Sequence, residues 1–123
     1  MKILVIDDSP TARREISAIV EELGYECVEA VDGIEALSMI RTHEGIGLAL
    51  CDINMPEMDG LNLIRVVSQD ENLTPPPFIM VTTEMGHDLM KKAKSFGAKG
   101  WVVKPIDREA LVGLTKKYCK PAA

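Results

Sequence analysis

Five short apolar runs divide the chain, each followed by a polar break and an amphipathic stretch. Lys2–Ile6 is too short for a helix and rich in branched apolar residues, so it reads as a strand. Ser9-Pro10 opens a helix, with serine as N-cap and proline at the first helical position. Ile16, Ile19, Val20 and Leu23 then fall on one helical face, and Gly24 supplies the stop. Cys27–Val31 reads as a second strand. Asp32-Gly33 begins a short helix through Leu37 and Ile40 that ends near Thr42. Gly45 and Gly47 bracket the turn into a third strand, Leu48–Asp52. Asp59-Gly60 starts a third helix, with Leu61, Ile64 and Val67, together with Leu63, expected to face inward. Gln69–Pro77 is polar and then triply proline, a loop. Phe78–Thr82 is a fourth strand. A fourth helix runs from about Gly86 to Phe96 on Leu89, Met90 and Ala93 and stops at Gly97. Gly100–Val103 is a fifth strand, and Asp107 caps a last helix carrying Leu111, Leu114 and Tyr118. Pro121–Ala123 is expected to fray.

Nearly all-apolar strands alternating with helices call for an α/β fold, a parallel sheet covered on both faces. In such sheets ligands bind at the carboxyl ends of the strands. Four of those ends are polar: Asp7-Asp8, Asp52, Thr82-Thr83 and Lys104-Pro105. They are expected to meet in one crevice.

With 123 residues, 46% of them hydrophobic, the chain is expected to be one domain, 1–123, needing no disulfide or metal staple. A net charge of -5 argues against a nucleic-acid-binding surface, which needs a basic face. Cys27, Cys51 and Cys119 form no CxxC pair and read as reduced thiols of a cytosolic protein. No apolar run approaches the ~18 residues of a membrane span, and Met1-Lys2-Ile3 enters a strand without a signal-peptide layout. His43 and His87 have no partner at ligand spacing, so no transition-metal site is expected.

Three carboxylates, Asp7, Asp8 and Asp52, converging at one rim raise at least one pKa unless a cation is present. Mg²⁺, which takes a few carboxylate or carbonyl oxygens and keeps its waters, fits. Lys104 supplies an ammonium suited to a phosphoryl oxygen, and Thr82 a hydroxyl. Together they describe a phosphoryl-transfer site with aspartate as acceptor. The plainer alternative is a buried Asp52–Lys104 ion pair with two solvated aspartates, which leaves five groups in register unexplained.

The set Asp7-Asp8, Asp52-x-x-Met55-Pro56-x-Met58-Asp59-Gly60, Thr82 and Lys104-Pro105 resembles the signature of response-regulator receiver domains of two-component signalling, most of all the single-domain chemotaxis type. It spans essentially the whole chain. The resemblance implies a strand order 2-1-3-4-5 and Asp52 as phosphoacceptor. It implies Mg²⁺ bound directly by Asp8, supported by Asp7 largely through water, with the Asn54 main-chain carbonyl as a further ligand. Lys104, before a cis Pro105, would contact the phosphoryl group, and Thr82 would move to hydrogen-bond it. Trp101 stands at the second switch position, where Tyr or Phe is usual. Bulkier and without a phenol, it is expected to populate the inward rotamer less, and core filling or surface anchoring stands beside the switch role. Thr83 departs from the usual small residue. Asn54 and Glu84 occupy positions that tune dephosphorylation.

The partners implied are a histidine kinase as donor and a target protein docking on the fourth helix, fifth strand and fifth helix (His87, Met90, Lys91, Trp101, Val103). A cytoplasmic monomer is expected that is no enzyme beyond self-phosphorylation and slow autodephosphorylation. Other outputs are a phosphate sink or a relay intermediate. A Mg²⁺-dependent phosphohydrolase is disfavoured by Asn54, which stands where a second Asp would serve as acid/base. A flavodoxin-like binding module would need a phosphate loop where Asp7-Asp8 lie.

Overall fold

Strand and helix alternate along the described residues, 1–119, of the computed structural model. The elements are β1 (Lys2–Ile6), α1 (Pro10–Glu22), β2 (Glu26–Ala30), α2 (Gly33–Thr42), β3 (Ile46–Cys51), α3 (Gly60–Gln69), β4 (Phe78–Thr82), α4 (His87–Ser95), β5 (Ala98–Val103) and α5 (Arg108–Tyr118). The tail expected to fray, 121–123, lies outside the described residues. The five strands are parallel in the order β2-β1-β3-β4-β5, as the resemblance implies. Successive side chains on a strand point to opposite faces. Leu4 and Ile6 therefore join residues of α2, α3 and α4 in one core, while Ile3 and Val5 join α1 and α5 in the other. With helices on both sides, the central strands have no solvent face, which is why their sequences show no apolar–polar alternation.

The helix starts follow the capping residues. Ser9, Asp32, Asp59 and Asp107 each accept a backbone N–H of the first turn through their side chains, satisfying donors that the helix itself leaves free. α4 is the exception: it begins after Gly86 with no side-chain cap.

Strand bounds differ from expectation on three strands. β2 starts at Glu26 and ends at Ala30, leaving Val31 exposed; as an edge strand it tolerates Glu26 and Glu29. β3 begins at Ile46, through the expected turn residue Gly47, because the β1 pairing shifts register there. A side chain at Gly47 would lie 2.6 Å from the Met1 sulfur and 2.9 Å from that of Cys119. β3 ends at Cys51, so Asp52 stands just past the strand. β5 starts two residues early, where Ala98 pairs with Phe78 across a second register shift.

In α3 Leu63, Ile64 and Val67 are buried and Leu61 packs partly buried against the same core, as expected, but one helical stripe needs correction. In α4 Ala93 is the buried residue and Met90 is 41% exposed, so Met90 belongs to the surface and not to the core.

Candidate functional site

β1 and β3 run side by side, and each releases its aspartates as it leaves the sheet. Asp52 donates its backbone N–H to the Ile6 carbonyl at 2.9 Å, which sets it beside Asp7 and Asp8. Carboxylate oxygens of Asp7, Asp8 and Asp52 lie within 4.8 Å of one another. Asp7 is fully buried, Asp52 is 8% exposed and Asp8 is exposed. Like charges held this close, two of them out of water, call for positive charge beside them.

Lys104 supplies it. Its backbone N–H bonds to the Thr82 carbonyl at 2.8 Å, and its Nζ reaches back to Asp7 Oδ2 at 2.6 Å and Asp52 Oδ2 at 3.1 Å. Burial alone would lower the pKa of this ammonium, but the hydrogen bonds to Asp7 and Asp52 outweigh that and leave it above its ordinary value. The Lys104–Pro105 peptide bond is cis, as the resemblance implies.

The other carboxylate oxygens have local donors. Asp52 Oδ1 accepts the Ile53 N–H at 2.7 Å and Asp7 Oδ1 the Ser9 N–H at 2.9 Å. The Asp8 carboxylate has no hydrogen-bond partner among the described residues. Arg13, which sequence reasoning missed, donates from Nη1 to the Asp7 carbonyl at 2.7 Å and from Nε to Glu29 at 3.1 Å. It thereby fixes the backbone that carries the aspartate pair. A basic residue one turn into the helix that follows the pair was the available signal.

Gly60 brings α3 up to the site. A Cβ there would lie 2.1 Å from the Asp52 carbonyl oxygen, and the Gly60 N–H bonds to the Ile53 carbonyl at 2.9 Å. The loop between them holds Glu57 at φ 67, and the Gly33 N–H of α2 donates to the Met58 carbonyl at 3.1 Å. The Met55–Gly60 motif is therefore the turn that returns the chain beneath Asp52.

Thr82 is buried, but its hydroxyl makes no bond to Asp52 or Lys104; it accepts the Glu84 N–H at 3.2 Å. Asn54 donates from its side chain to Glu84 Oε1 at 2.7 Å. Trp101 is half-buried against the α2–α3–α4 core, and its indole N–H donates to the Glu84 carbonyl at 3.0 Å. Of the expected partner-face residues, His87, Met90, Lys91 and Trp101 line a groove of about 670 Å³ between α4 and β5. Val103 is not among its lining; it pairs with Thr82 at the site end of β5.

The donors that converge are all oxygen atoms, which suits a hard divalent cation such as Mg²⁺ and not a soft transition metal. One pre-placed ammonium and a nearly buried carboxylate complete an arrangement in which Asp52 can act as nucleophile toward an electrophile carrying negative oxygens.

Comparison with known proteins agrees. The family model described as response regulator receiver domain matches residues 3–116. Chemotaxis protein CheY1 of Helicobacter pylori is 40% identical over 112 residues, covering 90% of this chain and 90% of that one. The chemotaxis protein CheY homolog of Campylobacter jejuni is 39% identical, covering 90% and 86%. Among solved structures, chemotaxis protein CheY4 of Vibrio cholerae superposes with a TM-score of 0.86 at 32% identity, covering 95% of this chain and 97% of that one.

Proposed function

Since the chain belongs to the response regulator receiver family, as a receiver of the CheY type, we propose that Asp52 takes a phosphoryl group from the phosphohistidine of a kinase and that α4, β5 and α5 report the change to a target protein. The observation that carries the reading is the Lys104 ammonium bridging Asp7 and Asp52, with Asp8 at the same rim.

An Asp52 carboxylate oxygen attacks phosphorus in line with the phosphorus–nitrogen bond of the donor. That bond breaks with its electron pair going to the imidazole, and an aspartyl acyl phosphate forms. Lys104 meets charge building on the phosphoryl oxygens, while the Ile53 N–H keeps the other Asp52 oxygen oriented. Asp7, Asp8 and Asp52, with the Asn54 main-chain carbonyl, would hold Mg²⁺. When bound, Mg²⁺ supplies charge neutralisation at the transferring group.

Receivers of this type exchange signals with histidine kinases and downstream targets. The names of the relatives support a chemotaxis output over a phosphate sink or relay. Asn54, in place of a second aspartate, supports a signal carrier with slow self-dephosphorylation over a turnover phosphohydrolase. Among the described residues no helix is long and apolar enough to cross a membrane, and a cytoplasmic site of action fits the kinase donor. Residues 87–123 hold nine Lys/Arg against three Asp/Glu, whereas 1–86 hold five against sixteen. Of these, Lys91, Lys94 and Lys99 line the groove between α4 and β5, which supports a monomer docking a target of opposite charge.

The test is incorporation of one phosphoryl group from acetyl phosphate in Mg²⁺, followed by intact mass. The wild type should gain it. Asp52→Asn should not, while keeping its circular dichroism and melting behaviour. Labelling of Asp52→Asn, or no labelling of the wild type, would sink the reading.

A further inference from the structure

Of the three carboxylates at the crevice, two are gripped through their side chains. Asp7 is held by Lys104 and the Ser9 N–H, and Asp52 by Lys104 and the Ile53 N–H. The Asp8 carboxylate is exposed and has no such partner among the described residues. Its direction is set by the backbone that carries it, above all by the peptide joining it to Asp7. β2 grips that backbone on both sides of Asp7. The Asp7 N–H donates to the Ala30 carbonyl at 3.1 Å. The Asp7 carbonyl accepts from Arg13 Nη1 at 2.7 Å, and Arg13 Nε donates in turn to Glu29 Oε1 at 3.1 Å. Glu29 and Ala30 are consecutive residues of the edge strand, paired with Val5 and Ile6 of β1.

We propose that Glu29, acting through Arg13, is a positioning residue for Asp8. The guanidinium is a planar fork whose donors are fixed relative to one another. With Nε anchored on Glu29, Nη1 is aimed at the Asp7 carbonyl. That carbonyl lies in the plane of the Asp7–Asp8 peptide, so holding it holds the plane and the direction in which the Asp8 side chain leaves the chain. The Arg13 side chain is 15% exposed and that of Glu29 45%: the fork is sheltered, and its anchor stands at the rim of the sheet. A strand that offers the crevice no carboxylate of its own thereby takes part in its geometry. The inference rests on the reading of the crevice as a Mg²⁺ site and adds to it a residue on the outer edge strand. Arg13 acts in two opposed ways. As a charge it disfavours a cation beside the aspartates; as a clamp on the Asp7 carbonyl it favours one. The sign of its removal therefore separates the two.

The test follows melting temperature against Mg²⁺ concentration, which yields a dissociation constant by mass action. It compares wild type, Arg13→Met, Glu29→Ala and Glu29→Gln, and both changes at position 29 made in the Arg13→Met background. Arg13→Met keeps an apolar stem in place of the arginine's and removes the donors. It should weaken Mg²⁺ about tenfold, the lower end for losing a partner that orients metal ligands. Glu29→Ala and Glu29→Gln change the charge equally, but Gln keeps an acceptor oxygen for Nε. Glu29→Ala should therefore bind Mg²⁺ roughly twofold to fivefold more weakly than Glu29→Gln, the range of a partly exposed ion pair. In the Arg13→Met background the two should be equal. A role in folding alone would lower the melting temperature in chelator and leave the Mg²⁺ constants unmoved, which would overturn the proposal while the Mg²⁺ reading stands. Tighter Mg²⁺ in Arg13→Met, or a difference between Ala and Gln that persists without Arg13, would overturn it too. A wild type that Mg²⁺ does not stabilise would sink the Mg²⁺ reading, and the proposal with it.

Discussion

At the scale of single residues, the site is an exercise in keeping charges tolerable. Lys104 satisfies two carboxylates, one of them wholly buried. Removing it strands them, at a cost of about 1–3 kcal/mol for groups left without a partner. Lys104→Ala should therefore melt several degrees lower in chelator. It should also gain more from added Mg²⁺ than the wild type does, because the ammonium no longer competes for Asp7 and Asp52; thermal melts with and without Mg²⁺ check both. The thiols behave in the opposite way to a reactive site. Burial pushes Cys27 up to about 12, against the smaller opposing effect of the Ser17 side chain. Cys51 is raised well above its ordinary value, again first by burial. Thiols held protonated in this way are poor nucleophiles near neutral pH. Groups with a raised folded pKa stabilise the fold fully below their unfolded pKa and cease to as pH climbs through the folded one. For Cys27 that window runs from 9 to about 12, and Lys104, also raised, adds its loss above 10.5. Melting temperature should fall progressively above pH 9, less steeply in Cys27→Ala, and iodoacetamide should leave Cys27 unmodified in the native protein at pH 8.

At the scale of elements, the β3–α3 connection decides whether Asp52 is presented at all. Gly60 opens α3 against the Asp52 carbonyl, and any Cβ there meets that oxygen at 2.1 Å, far inside contact distance, so backbone has to move. Gly60→Ala should cost about 1–3 kcal/mol, as overpacking does, and should slow acetyl phosphate labelling out of proportion to the loss of stability, since the atom displaced belongs to Asp52, the proposed phosphoacceptor. Equal labelling at matched folded fraction would contradict this. The sequence pattern placed every element, because the apolar runs and capping residues are local signals. It missed where pairing partners decide the bounds: Gly47 reads as a turn until β1 shifts register beside it, and Ala98 joins β5 only because Phe78 lies opposite. The α4 stripe misled for a related reason. Leu89, Met90 and Ala93 are spaced for a core face, yet the helix starts after an uncapped glycine and turns Met90 toward the groove. The convergence of Asp7, Asp8, Asp52 and Lys104 was legible as strand ends. The bonds of Arg13 and Glu84 were not, since each spans elements that only the fold brings together.

At the scale of the whole molecule, net charge conceals a division. The value of -5 excluded a nucleic-acid surface but says nothing of the basic final third, where Lys91 and Lys94 of α4 and Lys99 of β5 border the same groove as Trp101 and Met90. Asp7, Asp8 and Asp52 meet at the crevice, where a cation is wanted, and Lys91, Lys94 and Lys99 line the groove proposed as the docking site. Exposed charges of one sign around a groove act mainly on the rate of encounter and on choice of partner, less on final affinity. A target segment should therefore carry Asp or Glu around an apolar anchor that enters beside Trp101. Lys91→Glu should slow its association about tenfold while leaving dissociation within a factor of about two, as rim charges do. Raising salt from roughly 10 mM to roughly 1 M shrinks the screening length from about 30 Å to about 3 Å and should erase the difference between wild type and Lys91→Glu. Stopped-flow Trp101 fluorescence with a synthetic helix bearing Leu anchors and flanking Glu, against the same helix with Lys for Glu, reads both rates. Preference for the Lys version, or a Lys91→Glu effect that survives high salt, would show that the lysines are not what selects the partner.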